Sequence, residues 1–413
     1  MNACIITIGD ELLQGFTRDT NSEWISKHLL DYDVHTEYKV TIPDDRPKII
    51  QTLKRAISDQ YDFIFITGGL GPTHDDVTRN ALKLFFEVST VFDQDHHEKL
   101  VEWCHQRNII PPLNLESQST ILSGSTSIPN PVGSALGMSI KYDGSQIFIL
   151  PGVPAEMVGM MQETILPKFF LKSDFSRFIT LKTVGKGESK ISEEISDIIH
   201  DFKTDVKIAF LPQYTGVNIR IKRISTRVGI AHTVANLIQK RLKGLIYTNE
   251  DQALEEVVGK MLRLNKLTLS VAESCTGGWL SKRLTDAPGS SDYFLGSVIA
   301  YHNNIKKSVL EIPDIILEQY GAVSGHTAKL MAESICKITG SSIGISTTGI
   351  SGPTGGTLKK PVGLVFIGLA FNEQVFASQF NFLKNRTLHR EMSCTTALNM
   401  LRLLLLENFS DTF

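Results

Sequence analysis

The chain has 413 residues, of which 42% are hydrophobic and 21% charged, a composition typical of globular proteins and unlike that of disordered, collagen-like or coiled-coil chains. At about 150 residues per domain, the length suggests two or three domains. The 42 Lys and Arg residues nearly balance the 44 Asp and Glu residues, and the formal net charge of -2 excludes a strong overall field that would attract nucleic acid or an anionic membrane.

From residue 1 to about 170, short apolar runs alternate with amphipathic stretches. The predicted elements are strand 3–8, helix 21–30, strand 63–66, helix 75–86 and strand 147–150. A parallel crossover needs a connection that returns the chain, usually a helix, so this alternation predicts an α/β domain with a parallel sheet.

From about 175 to 248 the pattern changes. Apolar and polar residues alternate along 217–222, which reads V-N-I-R-I-K and predicts a half-buried strand of an antiparallel sheet. Residues 192–202 predict a helix, so we expect a small α+β module. It lacks the G-x-x-G loop with which KH domains clamp nucleic acid, and we expect its basic residues to form a solvated strand face.

A third domain is predicted over 251–413. Leu254, Val257, Val258, Met261 and Leu262 form one apolar stripe of a helix. The elements that follow are strand 268–272, helix 279–285, strand 296–300, helix 327–338, strand 343–347, strand 364–371 and helix 388–406. This order predicts a second α/β domain.

The five cysteines are odd in number and include no C-x-x-C pair, which disfavours a disulfide framework or a structural zinc site. No apolar stretch approaches the roughly 20 residues of a membrane-spanning helix. The first apolar run is followed at once by Asp10 and Glu11 and lacks the features of a signal peptide. We therefore expect a cytoplasmic protein with no membrane partner.

The sharpest motif, A-E-S-C-T-G-G at 272–278, lies where a predicted strand ends and a helix begins. This position would place Ser274 at the carboxyl end of the sheet. Gly277 and Gly278 allow a tight turn, in which backbone N–H groups from Thr276 to Gly278 could hold an oxyanion. The motif is not the G-x-S-x-G elbow of α/β-hydrolases, and no Ser/Asp/His set follows in their order.

A nucleophilic serine needs a base, and Lys306 follows the next predicted strand, with Tyr301 at that strand's end. A lysine in a dry site can lose its proton and act as a base. The alternative is that Lys306 lies on a solvated helix face and that Tyr301 is a core aromatic residue with its hydroxyl at the rim. Spacing alone leaves both interpretations open.

The segment 347–356, T-T-G-I-S-G-P-T-G-G, follows another predicted strand and could wrap a phosphate or an amide with backbone donors. Thr348, Gly349 and Gly352 are its candidate substrate-binding residues, and Arg386 could add an anion contact. Glycine-rich loops without a Walker lysine are also common as plain turns, and an arginine there can be simple surface charge.

A second candidate site lies in the N-terminal domain, where strand 63–66 runs into T-G-G-L-G-P-T-H-D-D-V-T at 67–78. Its glycines could cradle a phosphate, and the adjacent carboxylates of Asp75 and Asp76 suit a divalent cation. The same carboxylates could simply stabilise the dipole of the helix. The candidate residues are Asp10, Gly68, Gly69, Gly71, Asp75 and Asp76.

The C-terminal motifs resemble the competence/damage-inducible CinA family over nearly all of 251–413. That domain is associated with deamidation of nicotinamide mononucleotide (NMN) to nicotinate mononucleotide and ammonia, without a cofactor. By resemblance Ser274 is the nucleophile, Lys306 its base and Tyr301 a partner in proton transfer. The chain departs from the family pattern at His302, commonly Ser, and at 384–385, commonly Gly-Asp, which puts the role of Arg386 in question.

The N-terminal motifs G-D-E-L-L-Q-G at 9–15, N-P-V-G-S-A at 130–135 and L-P-G-V-P-A-E-M at 150–157 resemble the molybdopterin-binding fold found in full-length CinA proteins. The resemblance implies ADP-ribose pyrophosphatase activity with a divalent metal and adds Glu156 to the substrate-binding residues. Pterin-handling relatives instead bind or adenylylate molybdopterin. The resemblance also implies a homodimer. A regulatory protein that binds nucleotide or pterin without turnover is the alternative to an enzyme.

Overall fold

The computed structural model describes residues 1–70, 77–108, 110, 115–171 and 178–409. The chain divides into two compact units, Met1–Arg177 and Phe178–Phe413. Within the described ranges, no helix is both long and apolar enough to cross a membrane.

The first unit is an α/β domain, as predicted. Its strands are β1 (Asn2–Ile8), β2 (His35–Ile42), β3 (Phe63–Thr67), β4 (Thr90–Phe92), β5 (Thr120–Leu122), β6 (Thr126–Ile128), β7 (Gly137–Tyr142) and β8 (Ser145–Leu150). Its helices are α1 (Asp10–Leu13), α2 (Thr20–Leu29), α3 (Arg46–Ser58), α4 (Val77–Phe86), α5 (Gln94–Gln106), α6 (Leu115–Gln118), α7 (Pro154–Met160) and α8 (Leu166–Phe169).

The main sheet of this domain has the order β2-β1-β3-β8-β7-β6. The first four strands form the predicted parallel sheet; β7 then pairs antiparallel with β8, and β6 antiparallel with β7, which adds an antiparallel edge that was not predicted. A two-residue turn at Asp143 and Gly144, both with positive φ, reverses the chain between β7 and β8. Such an Asp-Gly hairpin needs no crossover helix.

Side chains from the central strands pack on both faces of this sheet. Ile6 and Ile64 belong to one apolar cluster with Leu53 of α3. Phe65 belongs to the other, with Ile25 of α2. Burial on both faces explains why these strands are continuous apolar runs in the sequence.

The second unit begins with the small α+β module. Its strands β9 (Phe178–Thr183), β10 (Val206–Gln213), β11 (Gly216–Arg223) and β12 (Ile246–Thr248) form an antiparallel sheet in the order β10-β11-β9-β12. Along β11 the apolar residues are buried and the polar ones partly exposed, as the alternation predicts. The residues of the expected helix 192–202 belong instead to two shorter helices, which are separated at Ile195. The helices are α9 (Glu188–Glu194), α10 (Ser196–Asp201) and α11 (Ile230–Arg241).

The rest of the second unit is the predicted second α/β fold. Its strands are β13 (Leu269–Glu273), β14 (Phe294–Ile299), β15 (Ile343–Gly349), β16 (Leu364–Phe371) and β17 (Gln374–Asn381). Its helices are α12 (Leu254–Leu264), α13 (Trp279–Asp286), α14 (Asn303–Ser308), α15 (Asp314–Tyr320), α16 (Gly325–Thr339) and α17 (Arg386–Asn408).

The strand order in this sheet is β14-β13-β15-β16-β17. The first three strands are parallel to one another. The strand β16 pairs antiparallel with β15, and β17 pairs antiparallel with β16. A tight turn at Asn372 and Glu373, both with positive φ, joins the last two. Residues of α12, α13 and α17 share one apolar cluster with the sheet, and residues of α16 share another.

Candidate functional site

The carboxyl ends of three neighbouring parallel strands bring the C-terminal motifs together. Ser274 follows β13, the Tyr301–Lys306 segment follows β14, and Thr348 and Gly349 end β15. Because β14, β13 and β15 are adjacent in that order, these segments meet at one edge of the sheet. In open α/β sheets this edge is where ligands usually bind.

A buried carboxylate fixes the turn that carries Ser274. Glu273 has no exposed surface, and its two oxygens accept hydrogen bonds from the backbone N–H groups of Gly278 (2.9 Å), Leu280 (3.2 Å) and Ser281 (2.8 Å) and from the Ser281 hydroxyl (2.5 Å). The carboxylate thus satisfies the otherwise unpaired donors at the start of α13. Glu273 was not among the predicted site residues, although it precedes the serine directly.

The serine and the lysine are in direct contact. The Nζ atom of Lys306 lies 3.1 Å from the Oγ atom of Ser274, 2.7 Å from the carbonyl oxygen of Ala300 and 3.4 Å from that of Tyr301. Lys306 is only 1% exposed, so the alternative of a solvated position is wrong for this residue.

Burial lowers the pKa of the Lys306 ammonium, because transfer out of water disfavours its charged form. Among the described residues, no carboxylate forms an ion pair with it. A neutral amine has two N–H donors and one lone pair. The two donors match the carbonyl oxygens of Ala300 and Tyr301, and the lone pair matches the Ser274 hydroxyl, which can donate to it.

The backbone donors beside Ser274 differ from those expected. The Gly277 N–H donates to the Ser274 carbonyl (3.2 Å), and the Gly278 N–H is held by Glu273. Neither is therefore available to a ligand in this arrangement. Among the described residues, the Thr276 N–H has no acceptor, whereas the Cys275 N–H is directed at its own thiol. Gly277 and Gly278 instead supply the positive φ angles of 59° and 89° that form the turn.

Tyr301 and Arg386 meet at the mouth of this site. The guanidinium of Arg386 donates to the Tyr301 hydroxyl (3.2 Å) and to the carbonyl of Gly352 (3.0 Å), thereby joining the end of β14 to the glycine-rich loop. The Tyr301 side chain is 59% exposed, so its interpretation as a core aromatic residue is wrong.

The two departures from the family pattern occur at helix caps. His302 caps α14 by accepting a hydrogen bond from the Asn304 N–H (3.2 Å) through Nδ1. Asn385 caps α17 by accepting one from the Leu388 N–H (3.1 Å). Serine and aspartate are common at this position, so His302 and Asn385 keep the two caps.

The predicted ligand residues of β15 also have contacts within the domain. The Thr348 hydroxyl donates to the carbonyl of Ala322 (2.7 Å) and so holds the adjacent chain. The neighbouring Thr347 hydroxyl lies 2.7 Å from that of Thr276. Gly349 has no space for a Cβ atom, which would lie 2.7 Å from the Leu364 carbonyl oxygen.

Two further contacts from α17 support the site and were not predicted. The Arg390 guanidinium donates twice to the Thr276 carbonyl, at 3.1 and 2.7 Å. Inside the glycine-rich loop, the Ser351 hydroxyl lies 2.9 Å from Nδ1 of the fully buried His389, whose pKa burial lowers. These interactions come from a distant helix, so local sequence carried no signal for them.

Cys275 is the alternative nucleophile in the same turn. Its side chain is buried, and desolvation raises the pKa of the thiol to about 12. The thiolate is the nucleophilic form of cysteine. A thiol that stays protonated at neutral pH favours Ser274 as the reacting group.

Those N-terminal candidate residues that the structure describes also lie at one strand edge. Asp10 follows β1, Gly68 follows β3 and Gly152 follows β8, and these three strands are adjacent and parallel. Gly68 has φ of +108°, and a Cβ atom there would lie 2.1 Å from the Ile8 carbonyl oxygen, so the close approach of the two strand ends requires glycine. Gly69 likewise has a positive φ, of 67°.

Two polar side chains at this edge are largely withdrawn from water. Asn21 of α2 was not predicted; it donates to Thr67 (3.1 Å) and Gly152 (2.9 Å), and its buried Oδ1 has no partner among the described residues. Burial raises the pKa of the Glu156 carboxyl, while a hydrogen bond with Asn130 acts in the opposite direction.

The predicted metal site cannot be placed in this domain. Asp75, Asp76 and Gly71 lie outside the described residues. Within the described ranges, no group of three or more His, Cys, Asp or Glu side chains could hold a metal ion.

Three family models match successive parts of the chain. A probable molybdopterin binding domain matches residues 4–170, a damage-inducible protein CinA KH domain matches 179–248, and a CinA C-terminal domain matches 251–405. A CinA-like protein of Salinibacter ruber is 38% identical over 408 residues, covering 97% of this chain and 99% of that protein. The chain belongs to the CinA family.

Other CinA relatives have comparable similarity. A CinA-like protein of Chloroherpeton thalassium is 38% identical over 418 residues, with 98% of this chain and 99% of that protein covered. Among solved structures, competence/damage inducible protein CihA from Agrobacterium tumefaciens is 31% identical and has a TM-score of 0.36, with 38% of this chain and 99% of that chain covered.

Proposed function

We propose that the C-terminal domain of this CinA protein is an amidohydrolase that converts NMN to nicotinate mononucleotide and ammonia. The observation that carries the proposal is the buried contact between Ser274 Oγ and Lys306 Nζ at 3.1 Å. A lysine whose pKa is lowered by burial is suited to accept the serine proton. The amide as substrate rests on the resemblance to CinA deamidases.

In the first half-reaction, Ser274 Oγ attacks the amide carbon as its proton passes to Lys306 Nζ. We assign the Thr276 N–H to the oxyanion that forms. Lys306 then returns the proton to the leaving nitrogen, the C–N bond breaks, and ammonia departs from a seryl ester. Water attacks the ester with Lys306 again as base, which releases the carboxylate and restores Ser274. We assign Arg386, whose guanidinium donates to the Tyr301 hydroxyl, to the substrate phosphate.

Ser274→Ala tests this assignment. The variant should release no ammonia from NMN above background, because the attacking atom is gone. An amide hydrogen-exchange profile equal to that of the wild type will show that the domain remains folded. Wild-type turnover in the variant would refute the serine assignment, and Cys275→Ala is the matched control that should keep most activity.

For the N-terminal domain we propose metal-dependent cleavage of ADP-ribose to AMP and ribose 5-phosphate. The partnerless buried Oδ1 of Asn21 beside Gly68 supports a ligand with hydroxyl or N–H donors at this edge. A divalent metal would stabilise the charge that develops on the pyrophosphate. Asp76→Asn should weaken metal activation and leave NMN deamidation near the wild-type rate, whereas unchanged pyrophosphatase activity in both Asp75→Asn and Asp76→Asn would assign these residues to helix stabilisation alone.

Product analysis with NMN, and separately with ADP-ribose plus a divalent metal, distinguishes these activities from the alternative of a non-catalytic nucleotide- or pterin-binding protein. The alternative predicts thermal stabilisation by the ligand without ammonia or nucleotide products. We also propose a homodimer, as the family resemblance implies. Light scattering that gives the 45.8 kDa of one chain would contradict it.

A further inference from the structure

A cavity lies in the Phe178–Phe413 unit, apart from the serine–lysine site. It has a volume of about 450 Å³ and is lined by the small module, through β12 and the end of α11, and by α12 and α17. This volume falls within the range of small-molecule sites.

The cavity contains a buried arginine that forms no ion pair with a carboxylate of the described residues. Arg402 of α17 is only 2% exposed. Its Nε and Nη2 atoms donate to Asn399 Oδ1 at 3.1 and 2.8 Å, and Nη2 also donates to the carbonyl of Gly244. Both acceptors are neutral, no described residue forms an ion pair with Arg402, and Nη1 has no acceptor among the described residues.

A buried guanidinium without an anion is unfavourable, because its charge has lost water and gained only neutral acceptors. The same burial lowers the pKa of Arg402 to about 10. Lys243, Lys260 and a single acidic residue, Glu250, also line the cavity, and all three are exposed. The lining therefore carries an excess of positive charge that an anionic ligand would neutralise.

The remaining wall is apolar and aromatic. Tyr247, Val257, Met261 and Leu406 line it beside the cations. An inorganic anion alone would leave this surface uncovered. A ligand with a ring or an apolar body attached to its charged group would use both parts of the cavity.

We propose that this cavity binds an organic monophosphate, with the phosphate at Arg402, Lys243 and Lys260 and a flat ring against Tyr247. A guanidinium forms forked hydrogen bonds to phosphate oxygens, and a monophosphate carries close to two negative charges at neutral pH. The site is separate from the catalytic residues, and it joins the small module to the C-terminal fold through a shared ligand.

Amide hydrogen exchange of the full-length protein with AMP as the probe tests the proposal, because the readout is local. AMP should slow exchange in peptides covering 242–250 and 254–264, and adenosine, which lacks the phosphate, should not. Protection confined to the N-terminal unit would place AMP at the other site only and would overturn the proposal.

Substitution of the exposed lysines that line the cavity tests the proposal without altering the buried Arg402. Lys243→Gln/Lys260→Gln should raise the AMP concentration for half-maximal protection about tenfold or more, because two charge-assisted contacts are lost. Lys329→Gln, an exposed lysine of α16 outside the cavity, is the matched control and should behave as the wild type. Equal protection by adenosine, no protection by AMP, or a double variant equal to the wild type would each overturn the proposal.

Discussion

Replacement of Glu273 by glutamine should destabilise the turn that presents the nucleophile. The carboxylate accepts four hydrogen bonds, two at each oxygen, from residues 278–281. A carboxamide has one acceptor oxygen. In its best orientation the NH₂ group faces Ser281, whose hydroxyl can rotate to accept but whose backbone N–H loses its acceptor.

The expected loss follows from these contacts. An unsatisfied buried N–H costs about 1 to 3 kcal/mol, and the retained bonds lose their charge assistance, which gives a total of roughly 2 to 5 kcal/mol. Urea unfolding of Glu273→Gln can be followed by fluorescence in a Trp24→Phe/Trp103→Phe background, where Trp279, the first residue of α13, is the remaining tryptophan.

Ser281→Ala is the matched control, since it removes only the hydroxyl donor and should cost about 1 to 2 kcal/mol. A Glu273→Gln variant within about 0.5 kcal/mol of the wild type, the range of an ordinary surface substitution, would refute the structural role of this carboxylate.

Other predictions concern the proposed chemistry. The kcat/KM for NMN should rise with pH up to the pKa of Lys306, because only the neutral amine accepts the serine proton. Burial lowers this pKa below the ordinary lysine value of 10.5. A flat profile between about pH 6 and 10 would contradict Lys306 as the base. Lys306→Met should abolish ammonia release. Arg386→Met should raise the KM for NMN about tenfold. The KM for nicotinamide riboside should stay nearly unchanged, because the riboside has no phosphate. Equal effects on both substrates would limit the role of Arg386 to its contacts with Tyr301 and Gly352.

Local pattern in the sequence was sufficient for most elements that carry the sites. The alternation along β11, the apolar stripe of α12 and the strand–turn–helix around Ser274 are all short-range signals, because side-chain periodicity repeats every two residues in strands and every 3.6 in helices. The antiparallel pairing of the last strands in each sheet was harder to predict from the sequence. The Asp143-Gly144 turn was a readable hairpin signal, whereas the Asn372-Glu373 turn resembles ordinary loop sequence.

The sequence by itself determined the family, the domain types and the candidate nucleophile, since these depend on residues close together in the chain. Only the tertiary structure decided that Lys306 is buried against Ser274, that Glu273 holds the turn, and that Arg402 lines a cavity while forming no ion pair with any described residue. Each of these depends on which elements become neighbours, such as β14 beside β13 or α17 beside the small module. Desolvation and hydrogen-bond geometry arise from that packing. The protonation state of a side chain is therefore set by contacts between residues that are far apart in the sequence.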